Sequence, residues 1–258
     1  MKKVAFDGLE LWNFEKLGQH TSIRHFVTDR QSHGSHGEFT LSWSSSPDRL
    51  YIEKNRQQLA TAMGVDSSHL FFPSQVHQTR IVHVSRNTNR ESLQETDALI
   101  TNEPGICIAV MSADCVPIIL YDQRNNAVAA VHSGWRGTVA RILEKTLLEM
   151  KKLFGTKGED VSAGIGPSIS RDVYEVGGEV IQEVKKSFER HNELLISMPD
   201  NKAKLDLWAA NKIQLREFGV SPENIEISNL CTVQYNQHFF SARKGDKGRF
   251  AAGIMIAE

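Results

Sequence analysis

"MSADCVPIILYDQRNNAVAAVHSGWRGT", residues 111–138, holds two apolar runs joined by a polar turn, with a reactive side chain at one end of each. Cys115 follows the small polar step Ser112–Ala113–Asp114 and leads into "VPIILYD". His132 closes "AVAAVH" and is followed at once by Ser133 and Gly134. Short apolar runs bounded by Asn, Asp and Gly read as buried strands. The turn at Asn125–Asn126 makes residues 116–132 a hairpin. Upstream, "GICIAVM" from Gly105 reads as another buried strand. Strands 105–111 and 126–132 are then expected to end near the same sheet margin, which brings Cys115 and His132 together. Pro117 cannot donate to a ladder and marks a break or an edge.

Working outward, four segments read as helices. Residues 47–63 start at Pro47 and Asp48 and stop at Gly64. Residues 139–154 place Val139, Ile142, Leu143, Leu147, Met150 and Phe154 on one face, with Thr138 as cap and Gly155 as stop. Residues 178–191 and 206–218 repeat the logic, the latter between Asp206 and Gly219. Strand candidates are 23–28, 39–43, 69–84 in two pieces, 97–101, 105–111, 116–121, 126–132, 161–165, 225–230, 237–243 and 249–256. A strict βαβ alternation is absent, so the pattern points to an α+β fold with mixed sheets. No linker, repeat or low-complexity segment divides the chain, and residues 1–258 read as one domain.

The 258 residues are 40% hydrophobic, enough for a sizeable core. A formal net charge of −1 provides no basic field for nucleic acid or anionic membranes. The apolar runs fall well short of the roughly 18 residues that span a bilayer. The start, "MKKVAFDGLELWNF", lacks the apolar stretch of a secretory signal. Three cysteines, an odd number without a Cys-x-x-Cys spacing, argue against a disulfide scaffold and for a reducing cytoplasm.

Chemistry collects around few residues. His77 lies in "FFPSQVHQTRIVHV", between two strand-like pieces. One thiolate and two imidazoles suit a zinc ion with an open fourth position. Sulfur with nitrogen also suits copper. The same side chains permit a metal-free arrangement, with Cys115 as nucleophile and His132 or His77 as its base. The "GWRG" loop, Gly134–Gly137, precedes a helix whose first amides would lower a thiol pKa. Asp114 is suited to orienting a histidine, moving a proton or satisfying turn amides. Packing and ordinary hydrogen bonding remain the plain alternatives for Cys115 and both histidines.

In order along the chain stand "SQVHQ", "TDALIT", "MSADCVPIILYD", "AAVHSGWRGT", "GIGPSIS" with "YEVG", and "LCT" with "FFSARKGDKGR". Together these resemble the YfiH family, long labelled laccase-domain or polyphenol oxidoreductase proteins and later described as purine nucleoside phosphorylases. The resemblance runs from about residue 25 to residue 256. It implies a four-layer α/β/β/α arrangement of mixed sheets and a zinc site made by His77, Cys115 and His132. One element departs from the family. Its Arg-x-Gly-Gly-x-Ser segment reads "RQSHGS" here, so Arg30 and Ser35 fit while Ser32 and His33 replace the glycines, and "LSW" replaces the Leu-Asn that follows. That segment is expected to border the substrate pocket. His33 and His36 read as solvated loop residues, not a metal pair.

The resemblance implies zinc-dependent phosphorolysis of adenosine, inosine and S-methyl-5′-thioadenosine to free base and ribose 1-phosphate, with deamination of adenosine. His77, Cys115 and His132 are then the metal ligands and catalytic centre, and Asp114 is the candidate proton carrier. Arg243 is the leading candidate for phosphate or ribose contact in a basic turn with Lys244, Lys247 and Arg249, joined by Arg30 and Arg136. The expected partners are a purine nucleoside and phosphate, with the protein a cytoplasmic monomer or homodimer. Two alternatives stand beside this. A laccase-type copper polyphenol oxidoreductase normally needs His-x-His pairs, and the sequence has none. A non-catalytic purine- or partner-binding metalloprotein is disfavoured by three ligands, since structural zinc usually has four. "GIGPSIS" lacks the third glycine of a dinucleotide fingerprint. Trp12, Trp43, Trp135 and Trp208 read as core or pocket wall, and Cys107 and Cys231 as packing residues.

Overall fold

The computed structural model describes residues 1–32, 37–46 and 48–258. His33, Ser35, His36 and the helix start expected at Pro47 lie outside the described residues. The chain opens with β1 (Lys2–Phe6) and β2 (Leu9–Asn13), followed by β3 (Ile23–Thr28), helix α1 (Arg49–Met63), β4 (Leu70–Phe71), β5 (Ile81–His83) and β6 (Ala98–Thr101). Next come β7 (Cys107–Ser112), β8 (Val116–Asp122), β9 (Ala127–Ser133), α2 (Trp135–Val139), α3 (Ile142–Phe154) and β10 (Val161–Ile165). The remainder is β11 (Glu175–Val176), α4 (Gly178–Ser187), α5 (His191–Leu194), β12 (Leu195–Met198), β13 (Lys202–Leu205), α6 (Leu207–Phe218), β14 (Ile225–Ile227) and β15 (Phe250–Ile256).

Two mixed six-stranded sheets carry the fold, in the orders β1-β2-β3-β15-β7-β4 and β14-β10-β8-β9-β6-β5. A small sheet, β11-β13-β12, stands beside the second. Alternation along the strands assigns the layers. Ile108 and Val110 of β7 meet Ile119 and Tyr121 of β8 and Val128 and Ala130 of β9 between the two large sheets. Cys107 and Ala109 face the other way, onto Leu59, Ala60 and Met63 of α1. Val116, Ile118 and Leu120 of β8 face Leu143, Leu147 and Met150 of α3. The result is α/β/β/α. Each fully buried Leu, Ile or Phe stabilises it by roughly 1.5–3 kcal/mol.

The helix ends follow the expected chemistry at several points. Asp48 accepts from the Tyr51 amide at the start of α1, and Asp206 from the Ala209 amide at the start of α6. Gly64, Gly155 and Gly219 end α1, α3 and α6 in the left-handed conformation.

Other expectations are corrected. The helix expected over 139–154 is two, because Arg141 takes φ 60° and separates α2 from α3. Thr138 therefore lies inside α2 and caps nothing; its hydroxyl hydrogen-bonds with Ser133 Oγ at 2.9 Å. The helix over 178–191 ends at Ser187, where Phe188 turns extended. Pro117 neither breaks β8 nor marks an edge. It sits second in a strand flanked by β10 and β9, and its carbonyl accepts from Gly166. Residues 39–43 form no strand, because side chains of α1 take the carbonyls a neighbouring strand would use. Asn55 donates to Thr40 O and Arg56 to Leu41 O. Residues 237–243 form no strand either; the chain turns there so that consecutive Phe239 and Phe240 are both buried.

The strands expected to share a sheet margin belong to different sheets. β7 lies in the first and β9 in the second, and Ala113–Cys115 carries the chain across. Cys115 and His132 meet through the β8–β9 register instead, which sets Val116 opposite Ser133 and Pro117 opposite His132.

Candidate metal centre

Three segments deliver the candidate ligands. His77 stands in the loop between β4 and β5, in a left-handed conformation at φ 62°. Cys115 ends the crossing between sheets, just after Asp114 at φ 85°. His132 lies near the end of β9, only 3% exposed. The ligating atoms of the three all lie within 4.8 Å of one another. The His77 and His132 rings meet edge-on, with centroids 4.9 Å apart. A single ion with bonds of about 2.0–2.3 Å closes such a spread by small side-chain rotations. One sulfur and two imidazole nitrogens therefore fit one metal ion.

Asp97, immediately before β6, organises the group. Its Oδ1 accepts from the His77 amide at 3.0 Å and pairs with His132 Nδ1 at 2.8 Å. Its Oδ2 accepts from the amides of Val76 at 3.2 Å and Gln78 at 2.9 Å. Burial alone would raise its pKa, but the bond from His132 and those amides outweigh it and hold the carboxyl below the usual range. With the carboxylate on Nδ1, Nε2 is the nitrogen that His132 can offer to a metal ion. Gln75 fixes the same loop from the other side. Its amide donates to Met111 O at 2.7 Å and accepts from Met111 N at 2.8 Å.

The thiolate of the pair suits a cation, whereas the His132 imidazolium must give up its proton before that ring can hold one. Burial opposes ionisation of the Cys115 thiol, yet His132 and His77 overcome it and bring its pKa to about 6. Burial likewise opposes charge on His132, but Cys115 and Asp97 raise it to about 9. Space is tight around the sulfur. A Cβ at Gly134 would stand 2.9 Å from Cys115 Sγ and 3.1 Å from His77 Cδ2, so glycine alone fits there.

His77, Cys115 and His132 form one wall of a cavity of about 980 Å³. Met111, Phe72 and Leu93 supply apolar surface, and Arg56, Arg90, Arg243 and Arg249 supply charge. Asp114 also lines it, with Oδ1 accepting from the Thr232 hydroxyl and Oδ2 from the Arg243 amide at 2.7 Å. Of the arginines singled out in the sequence, Arg243 and Arg249 lie on this wall, the Arg243 guanidinium over the Tyr174 ring at 5.6 Å. Arg30 is engaged elsewhere, by Glu38 and Asp246, and stacks on Phe240. Arg136 is exposed over its neighbour Trp135 at 4.2 Å. Neither is among the described residues lining the cavity. Asp97, Gln75 and Gly134, which shape the cluster, were not singled out as site residues in the sequence; the one available signal was an acid directly before the apolar run 98–100.

The family described as "Multi-copper polyphenol oxidoreductase laccase" matches residues 24–257. The chain belongs to that family. This laccase-family chain is 41% identical over 256 residues to "Purine nucleoside phosphorylase" of Bacteroides thetaiotaomicron, covering 94% of this chain and 95% of that protein. It is 38% identical over 217 residues to "Adenosine deaminase RL5" of an unknown prokaryotic organism, covering 80% and 82% of the two. In structure it matches YfiH of Bacillus licheniformis with a TM-score of 0.88 at 25% identity, over 97% of each chain. YlmD of Geobacillus stearothermophilus gives 0.87 at 26% identity, again over 97% of each.

Proposed function

We propose that this protein is a zinc-dependent purine nucleoside phosphorylase, acting on adenosine, inosine and S-methyl-5′-thioadenosine, with adenosine deaminase activity. The observation that carries the reading is the Cys115–His77–His132 cluster opening onto an arginine-lined cavity of about 980 Å³. The names of relatives at 41% and 38% identity support the two activities.

Zinc held by His77, Cys115 and His132 supplies Lewis acidity at the cavity wall. Asp97 keeps His132 in one tautomer and, through three backbone amides, keeps His77 in place. Apolar surface from Phe72, Leu93 and Met111 sheds water around the bound base. In phosphorolysis, a phosphate oxygen bonds to ribose C1′ as the C1′–N9 bond breaks, its electron pair leaving with the purine. Arg243 steadies the oxyanion. Asp114, held by Thr232 and the Arg243 amide, takes the proton that the attacking dihydrogen phosphate gives up and passes it to the leaving purine. In deamination, water adds at purine C6 and ammonia departs, with Asp114 in the same role. The protein works as one domain, a monomer or homodimer, in the cytoplasm, where its three unpaired cysteines stay reduced.

Incubation with adenosine, with and without phosphate, tests the reading. Adenine formed only with phosphate means phosphorolysis, and inosine means deamination. Neither product ends the proposal. The family's description favours a second reading, a copper-dependent polyphenol oxidase, and sulfur with two imidazoles suits copper too. Oxygen uptake with a phenolic substrate distinguishes it.

A further inference from the structure

Among the described residues five arginines have an acidic partner within 4.0 Å: Arg30 has Glu38 and Asp246, Arg86 has Glu258, Arg141 has Glu144 and Glu217, Arg171 has Asp206, and Arg190 has Glu193. Arg56 and Arg90, on the cavity wall, are among the arginines without one. Among the described residues no carboxylate lies within 4.0 Å of either guanidinium, although each is held firmly. Arg56 donates through Nε and Nη2 to Leu41 O at 2.9 and 2.7 Å, and its guanidinium is clamped between the Trp43 and Phe72 rings at 4.6 and 4.7 Å. Arg90 donates through Nη2 to three backbone carbonyls, those of Ser67, Ser68 and Leu70, and lies over Phe71 at 5.1 Å.

Two fixed like charges without a counter-charge cost stability, and that cost is offset when an anion binds between them. Burial, and then repulsion from Arg90, draw the pKa of Arg56 down to about 10. Among the described residues, no acceptor engages Nη1 of Arg56 or Nε and Nη1 of Arg90. Two planar forks with unengaged donors match the several oxygens of a phosphoryl group. The charge also matches, since a phosphoryl group carries about −1.5 to −2 near neutral pH and a carboxylate only −1. The clamp by Trp43 and Phe72 leaves Arg56 little side-chain entropy to lose on binding.

We propose that Arg56 and Arg90 form a phosphoryl-anion subsite in the same cavity as the metal ligands. It rests on the nucleoside reading only for its role in turnover. The anion is either free orthophosphate or the phosphate ester of a nucleotide.

Calorimetric titration of the metal-replete protein with sodium phosphate, AMP and adenosine tests this, using wild type, Arg56→Gln, Arg56→Lys and Arg90→Gln. Zinc content is measured for each variant. Wild type is expected to bind inorganic phosphate. Each glutamine variant should weaken it at least tenfold, with Arg56→Lys recovering part, while adenosine affinity changes less than threefold. AMP binding far tighter than adenosine and displaced by phosphate supports the subsite with an ester as its ligand. Phosphate binding alongside adenosine, with no gain for AMP, supports it with orthophosphate. Because Arg56 also holds the Leu41 segment, Arg90→Gln carries the test should Arg56→Gln fail to fold. Phosphate affinity within twofold of wild type in Arg90→Gln and in whichever Arg56 variants fold overturns the proposal, as does no phosphate binding to wild type. Phosphate binding that depends on these arginines, without base release from adenosine, sinks the phosphorylase reading and leaves the subsite standing.

Discussion

Replacing Asp97 by asparagine isolates the residue that ties the candidate metal centre to the fold. The carboxylate takes two donors on each oxygen: the His77 amide and His132 Nδ1 on Oδ1, and the Val76 and Gln78 amides on Oδ2. Asparagine offers one carbonyl oxygen and one NH2 group, so in either orientation two donors face another donor. An unsatisfied buried donor costs about 1–3 kcal/mol, which puts the loss near 2–6 kcal/mol, toward the lower end if the loop relaxes. Removing the partner that orients a ligating histidine typically lowers metal affinity about 10–100-fold. Urea denaturation and competition with a zinc chelator measure the two effects. The acid side adds a signature. Asp97 is held below its ordinary range, so its stabilisation is complete above about pH 4 and is lost as pH falls through its lower folded value. The asparagine variant should lack that decline. Wild-type stability together with wild-type zinc affinity would refute the reasoning.

Three further outcomes follow from local geometry. Gly134→Ala should lower zinc affinity and nucleoside turnover at least tenfold, because the new Cβ would meet Cys115 Sγ at 2.9 Å; unchanged zinc stoichiometry and turnover contradict this. Zinc affinity should rise about tenfold per pH unit from pH 7 toward 9, since His132 holds a proton up to about 9, and more steeply below about 6, where Cys115 is also protonated. A flat profile over pH 7–9 rules out the thiolate–imidazolium pair. Gly253→Ala should destabilise the fold by roughly 1–3 kcal/mol, because its Cβ would lie 2.6 Å from Phe26 Cζ and 2.7 Å from Ala109 Cβ across two strand pairs. Urea denaturation checks it, and no loss contradicts it.

The centre of the fold was legible because its strands are long and apolar and its turns chemically explicit. "VPIILYD" and "NNAVAAVH" pair as the hairpin their turn implied. Caps such as Asp206 and stops such as Gly219 could be read from residue type. The β1–β2 hairpin was legible and missed: Asp7 and Gly8, at φ 41° and 86°, form the Asp-Gly turn that favours hairpins, but alternation in "KKVAF" is faint. The β11-β13-β12 sheet was not legible, since strands of two to four residues leave no period to detect. Residues 39–43 alternate like a strand because they pack like one, while their carbonyls bind α1 side chains that local sequence cannot reveal. Residue types suggested His77, Cys115 and His132 as a metal set, spacing alone left a thiol nucleophile and plain packing open beside it, and the resemblance chose among them. Asp97 stayed hidden because its four bonds come from residues 76–78 and 132, a convergence set by tertiary packing.

Elemental analysis of the purified protein beside Cys115→Ala, with nucleoside turnover assayed on the same samples, tests the central claim most directly. About one zinc per chain in the wild type, with metal and adenosine turnover lost together in the variant, is the expected result. Full turnover by the alanine variant contradicts it.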